Sequence, residues 1–402
     1  MLEGRAWATT TFFPPRLIVL CRENAVDLRY ATEHVILRES AEKFLTERYD
    51  YRMVQKIAAS ETGWNREIWG EFAKLGWLGL PFAPEDGGNG GGAVELSILM
   101  EAFGKHLVIE PYLATVVLGG GLVAVLGSAA ERQAMLPAVI DGQCHLAFAH
   151  EERDVPTRAH RTSGGYLLRG GKKVVIGGPS ADMFLVSAQL GDNRLGIFVL
   201  PRKTRGLTVR PYRMVNGSRA ADVDLTDVTV PPPTLLGGNE DAGEAIETVI
   251  QRAIAALSAD AIGAIGAMVK ATVDYAKTRV QFGQAIANFQ ALQHRMVRIK
   301  IKEEEARAAA LFATLSLEGP APLRARAISG AKAKIGRCAR FVHQDAIQLH
   351  GAIGTTDELA LGGYAKRLIA YELLLGSTRE HLRRYGAIIA NPQIAATGLL
   401  MA

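Results

Sequence analysis

Cysteine is scarce in this chain: Cys21, Cys144 and Cys338 are the only three in 402 residues. They stand far apart and lack the short spacings of metal ligands, so they build neither a disulfide framework nor a metal site, and they fit a reducing, cytoplasmic setting. No stripe of Lys and Arg is interleaved with exposed aromatics, which argues against a nucleic-acid partner. Runs of apolar residues are short or broken. The longest, "TVVLGGGLVAVLG" from Thr115, is too brief and too glycine-rich to span a bilayer and reads as a buried helix, so no membrane insertion is expected. The opening text "TFFPPRLIVLCRENAVDLR" has no small-residue cleavage site and little helical character. Residues 1–30 therefore read as a loose extension or a start codon assigned too far upstream. A βαβ dinucleotide unit is also missing.

What is present suits a folded protein of two or three domains. Apolar residues make up 48% and charged residues 22%, which excludes a disordered chain. The net charge of +5 suits an anionic ligand such as a nucleotide or coenzyme A, although many proteins with no such ligand share it.

Three regions follow one another. Residues 31–143 read as helical: "RYATEHVILRESAEKFLTERYD" sets Val35, Leu37, Ala41, Phe44 and Leu45 along one side. The glycine-rich "PEDGGNGGG", Pro84 to Gly92, follows a helix and not a strand, so it reads as a turn and not a phosphate cradle. Residues 144–236 change character. "KKVVIGG", "ADMFLVSAQL" and "LGIFVLP" are short, β-branched segments separated by turn residues, and they predict a compact antiparallel β domain closed by Pro231 to Pro233. Residues 237–402 return to long alanine-rich helices, read as a four-helix bundle. Small residues on several of their faces predict close helix approach and burial against another subunit.

Four strings carry a family resemblance: "LGWLGLPFAPEDGGNGGG", "GYLLRGGKKVVIGGPSADMFLV", "YAKTRVQFGQAIANFQALQH" and "AIQLHGAIGTT". In this order, from about Tyr30 to the last helix, they resemble the acyl-CoA dehydrogenases. The resemblance implies an acyl-CoA dehydrogenase-like fold with an N-terminal all-α domain, a middle β domain and a C-terminal four-helix bundle. It also implies FAD, α,β-dehydrogenation of an acyl-CoA thioester, and electron delivery to an electron-transfer flavoprotein. In that family the residues matching Arg279 and Phe282 hold the pyrophosphate and adenine side of an FAD lodged mainly in a neighbouring subunit. Gln290, Gln348, Gly351 and Ser377 join the same cofactor set by resemblance. The chemistry is consistent: pyrophosphate favours a fixed guanidinium, and glycine permits close backbone approach. Read without the resemblance, Arg279 is a solvated helix-end charge, Gln348 an interhelical hydrogen bonder, and His294 and His350 packing histidines.

The catalytic half departs from the pattern. Dehydrogenation needs a carboxylate base near the substrate α-carbon. The usual base position, aligned on Gly376 in "YELLLGSTREHL", is Leu375, and the position used by other members is Ala253. Neither accepts a proton. Glu372 is the candidate for a relocated base, while Gln251 is no base and Glu247 and Asp260 read as ordinary helix residues. The "TEP-x-x-GSD" string that lines flavin and thioester is replaced by "AFAHEERDVPTRA", with His150 and Glu151 at the flavin-facing positions. The "WIT" string becomes "VVIG", so Val175 and Gly177 supply neither ring contact nor hydroxyl. No metal site is expected.

Retention of the outward residues alongside loss of the base resembles the second subunits of heteromeric acyl-CoA dehydrogenases acting on steroid side chains or dicarboxylic acids such as pimelate. "AIAALSADAIGA" and "GTTDELALGGYAKRL" resemble that branch in particular. The expectation is an α2β2 enzyme in which a homologous partner supplies the base. Two alternatives are a self-sufficient homo-oligomer using Glu372 and a catalytically silent structural or regulatory partner.

Overall fold

The computed structural model describes residues 29–390 apart from 192–193 and 239–240. Cys21 and nearly all of the expected N-terminal extension fall outside the described residues. The first helices are α1 (Thr32–Arg48), α2 (Tyr51–Ala59), α3 (Arg66–Lys74) and α4 (Ala93–His106). A π-helical segment, Leu113–Gly120, then runs into α5 (Gly121–Leu126), followed by α6 (Ala129–Ile140). α1 buries Ala41 and Leu45 on the expected face, with Leu37 and Phe44 packed beside them. α3 begins where the Asn65 side-chain oxygen accepts from the Glu67 and Ile68 amides at 2.8 and 3.1 Å, satisfying two of the donors a helix start leaves open. Its Phe72 stacks on Phe103 of α4, with Trp77 tilted against both.

The sheet has seven strands: β1 (Leu146–Ala149), β2 (Arg158–Thr162), β3 (Gly165–Ile176), β4 (Met183–Gln189), β5 (Leu195–Pro201), β6 (Leu207–Arg213) and β7 (Arg219–Val230). The order is β1-β4-β2-β3-β7-β6, with β5 also on β4. Most pairings are antiparallel, as expected, but β1 runs parallel to β4 and β2 touches β4 in parallel at Arg158. The sheet is therefore mixed. β1 is buried along its whole length, and β2 and β3 supply the long connection that a parallel neighbour requires. Thr115 donates to the Leu146 carbonyl at 3.2 Å, tying the π-helical segment to β1.

The last region comprises α7 (Gly243–Thr278), a small hairpin of β8 (Val280–Gln281) and β9 (Gln284–Ala285), then α8 (Gln290–Leu315), α9 (Ala321–His350), α10 (Leu361–Leu373) and α11 (Thr378–Ile389). The expected fourth helix is thus broken into α10 and α11. Leu375 (φ 55°) and Gly376 (φ 99°) turn left-handed, and Ser377 then caps α11 by accepting from the Glu380 amide. α7 is the spine, packed against α4, α8, α9 and α10. Its crossing with α4 rests on two glycines. A Cβ on Gly104 would sit 1.7 Å from the Asp260 carbonyl oxygen, and one on Gly263 1.9 Å from that of Glu101. α7 is long and apolar enough to cross a membrane, yet 83% of its apolar window is buried inside the protein, as befits a core helix.

Candidate functional site

A cavity of about 730 Å³ lies between the sheet and the bundle. His150 and Glu151 enter it just after β1, Val174 from β3, Glu247 from α7, and Leu375 and Gly376 from the α10–α11 turn. A smaller cavity of about 90 Å³ shares Ile176, Ala370 and Leu374 with it as a common wall.

Leu375, expected at the base position, stands in the wall of the larger cavity. Its carbonyl accepts from His381 Nε2 at 2.9 Å, which holds the turn in place. Ala253 is fully buried in the core and lines neither cavity. Glu372 also lines neither; it is paired with Arg340 across α9 and α10. The carboxylate that α7 brings to the larger cavity is Glu247, read from sequence as an ordinary helix residue. Gln251 donates to Glu247 at 2.8 Å while accepting from Arg324 Nε at 2.6 Å. Asp260 is buried against Arg367 of α10 and lines the smaller cavity.

The strand that would cover a flavin ring is shifted by a bulge in β3 between Lys172 and Val175. A bulge moves the in–out alternation by one residue. Val174 (φ 50°, 39% exposed) therefore lines the larger cavity, while Val175 points into the β-domain core at 1%. Gly177 lines the smaller cavity instead. Two polar groups carried no sequence signal, one in the wall of the smaller cavity and one buried behind His150. Glu110 is buried on the smaller cavity, accepting from the Tyr49 hydroxyl at 2.5 Å, and burial pushes its carboxyl up to about 7. Lys172 is wholly buried under His150.

The outward set gathers at one end of the bundle. Arg279 ends α7, and its side chain makes no hydrogen bond or ion pair among the described residues. Phe282, at the hairpin tip, is 91% exposed with φ 51°, an arrangement that is costly for an isolated surface and natural for one that meets another molecule. Gln290, which opens α8, is also exposed. The end of α9 lies alongside, because Tyr275 stacks on His350 at 4.4 Å. That places exposed Gln348 and Gly351 (φ 66°) beside the end of α7. His350 is buried and bonded to the Ala346 carbonyl, a packing histidine, whereas His294 is exposed. Ser377 is apart from this group, in the α10–α11 turn, with its hydroxyl committed to Glu380.

Residues 31–143 match the family model for the acyl-CoA dehydrogenase N-terminal domain, and residues 244–389 that for the C-terminal domain. Acyl-CoA dehydrogenase FadE12 of Mycobacterium tuberculosis is 30% identical over 314 residues, covering 73% of this chain and 79% of its own. The chain belongs to the acyl-CoA dehydrogenase family. The probable acyl-CoA dehydrogenase YngJ of Bacillus subtilis is similar at 29% identity, covering 72% of this chain and 80% of its own. Among solved structures, the Tcur3481-Tcur3483 steroid ACAD superposes with a TM-score of 0.81 at 27% identity, covering 90% of this chain and 99% of that one. The ChsE4-ChsE5 complex from Mycobacterium tuberculosis gives 0.85 at 23% identity over 91% and 99%, a likeness of fold. At the outward corner an unpaired guanidinium, an exposed aromatic ring and exposed amides stand together, a donor set whose chemistry suits an anionic nucleotide such as FAD.

Proposed function

We propose that this chain is the base-lacking subunit of a heteromeric, FAD-dependent acyl-CoA dehydrogenase. The observation that carries the reading is the pairing of a hydrocarbon base position, Leu375 in the cavity wall, with an exposed and unpaired outward set centred on Arg279. FAD, when bound, would supply a hydride acceptor for an acyl-CoA thioester and an electron route to an electron-transfer flavoprotein. The part of this chain is positional. Arg279 holds the pyrophosphate with a guanidinium, Phe282 covers the adenine side, Gln290 and Gln348 supply amides, and Gly351 lets the backbone approach. A homologous partner in an α2β2 assembly supplies the carboxylate that removes the α-proton. The named pairings ChsE4-ChsE5 and Tcur3481-Tcur3483 among the similar structures support this arrangement. The proposal includes a cytoplasmic location and boundaries at 143/144 and 236/237 between three domains.

A second reading, a self-sufficient homo-oligomer, draws on Glu247 in the cavity wall in place of Glu372. Purification of this chain alone and with a co-expressed homologue decides between them. A colourless chain alone and a yellow one-to-one complex support the shared site. A yellow, active homo-oligomer overturns it, and loss of activity in Glu247→Gln would then identify the base.

A further inference from the structure

The buried Lys172 does more than fill space beneath the larger cavity. An ammonium has three hydrogens, and three acceptors surround this one: the His150 carbonyl at 3.1 Å, Glu152 Oε1 at 2.6 Å and Ser187 Oγ at 3.1 Å. Ser187, on β4, is 1% exposed, and its Oγ lies 3.0 Å from His150 Nδ1. Since Ser187 Oγ already accepts from Lys172, its own hydrogen needs an acceptor inside a closed space, and Nδ1 is the one within reach. With the imidazole hydrogen on Nδ1 instead, the serine hydrogen would be buried without a partner. The imidazole hydrogen therefore sits on Nε2.

The ring is also fixed in place, stacked on Phe148 at 5.0 Å and 17°. Its Nδ1 edge is tied to the β domain, which leaves the other edge for the cavity that His150 lines. Burial, and then the Lys172 charge, push the imidazole down to about 4, so it is uncharged at neutral pH. Carboxylates outnumber cations around that space, with Glu151, Glu247 and Glu380 against Lys173 and Arg384, which favours a neutral acceptor over an anion.

We propose that His150 presents a fixed, uncharged Nε2–H donor to the larger cavity and binds a carbonyl oxygen there, that of an acyl thioester or of a flavin ring. Lys172 and Ser187 are positioning residues that set the tautomer. This deepens the preceding reading by naming what the cavity of this chain receives, and it stands whichever subunit holds the base.

The test uses the full chain, alone and in complex with its homologue. Nitrogen-15 spectra of labelled histidine should show His150 as the Nε2–H tautomer, and Ser187→Ala should release it to a mixture. Carbonyl-labelled crotonyl-CoA in one arm and ring-carbonyl-labelled FAD in the other are then followed by difference infrared spectroscopy. The carbonyl that His150 holds moves to lower frequency on binding. His150→Phe should abolish that shift and weaken binding about 10-fold, the value of one hydrogen bond, while His150→Gln, which keeps an N–H donor, restores part of both. A shift with crotonyl-CoA identifies the thioester, and a shift with FAD identifies the flavin. An Nδ1–H tautomer, failure of both probes to bind, or a shift unchanged in His150→Phe overturns the proposal. None of these outcomes bears on whether the base lies on a partner, which the subunit ratio and colour of the purified complex decide separately.

Discussion

Replacing Arg279 with alanine separates a residue that serves its own fold from one that serves a neighbour. The Arg279 side chain is exposed at the end of α7 and bonded to nothing among the described residues; only its backbone is engaged, to Tyr275 and Ile286. Alanine leaves those backbone bonds in place, so the stability of the isolated chain should change by no more than about 0.5 kcal/mol. A guanidinium on a pyrophosphate makes charge-assisted hydrogen bonds worth about 1.5–3 kcal/mol each. Losing one should weaken FAD retention in the complex by roughly 10- to 150-fold. The assay is paired: a thermal melt of the chain alone, and a flavin-fluorescence titration of the complex with and without the substitution. An unchanged melt with a large loss of flavin affinity is expected. A lower melting temperature with unchanged flavin affinity would show that Arg279 supports its own helix, and the shared-cofactor reasoning would fail with it. Unchanged flavin occupancy would equally favour a silent structural partner.

Gly104→Ala should disrupt the α4–α7 crossing, because its Cβ would lie 1.7 Å from the Asp260 carbonyl oxygen, a backbone atom that cannot swing aside. Overpacking costs of about 1–3 kcal/mol or more follow, visible as a lowered denaturation midpoint, whereas Gly70→Ala, in open space, should show no such drop. Glu110 gives a pH signature. Its folded pKa of about 7 exceeds its ordinary 4.5, so between those values the folded chain keeps a proton that the unfolded chain has released. Stability attributable to this group therefore falls as pH rises through that window, by about 3 kcal/mol in all. Glu110→Gln should remove the decline, as measured by denaturant titrations at pH 5 and pH 8; an identical decline in the variant would rule Glu110 out as its source. Ser377→Ala should cost about 1 kcal/mol through loss of the α11 cap, detectable as a lower midpoint in the chain without cofactor. A loss confined to flavin binding would show instead that Ser377 acts on the cofactor.

Local chemistry made much of this protein legible before any coordinates. Helical periodicity in α1, the short β-branched strings of the sheet and the alanine-rich stretch of α7 each express a backbone preference carried by neighbouring residues. "RVQFG" was readable through a family resemblance, and its Arg279 and Phe282 stand close together at one short, exposed hairpin. Leu375 was likewise marked by that resemblance, which aligns it with the base position of the family, and a leucine cannot accept a proton in any fold. Other features depend on residues distant in sequence. Glu247 and Glu372 look alike as helix carboxylates, and only the packing of α7 over the sheet puts Glu247 in the cavity while α9 offers Arg340 to Glu372. The bulge in β3 decides that Val174 rather than Val175 faces that space, and a one-residue offset in a strand is a tertiary event that pairing with β7 imposes. The parallel placement of β1 on β4 and the Lys172–Ser187–His150 arrangement likewise arise where β1, β3 and β4 come together. Sequence determined which residues can donate, accept or bury; tertiary structure decided which of them meet, because hydrogen bonding and burial act over a few ångströms of space however far apart the partners lie along the chain.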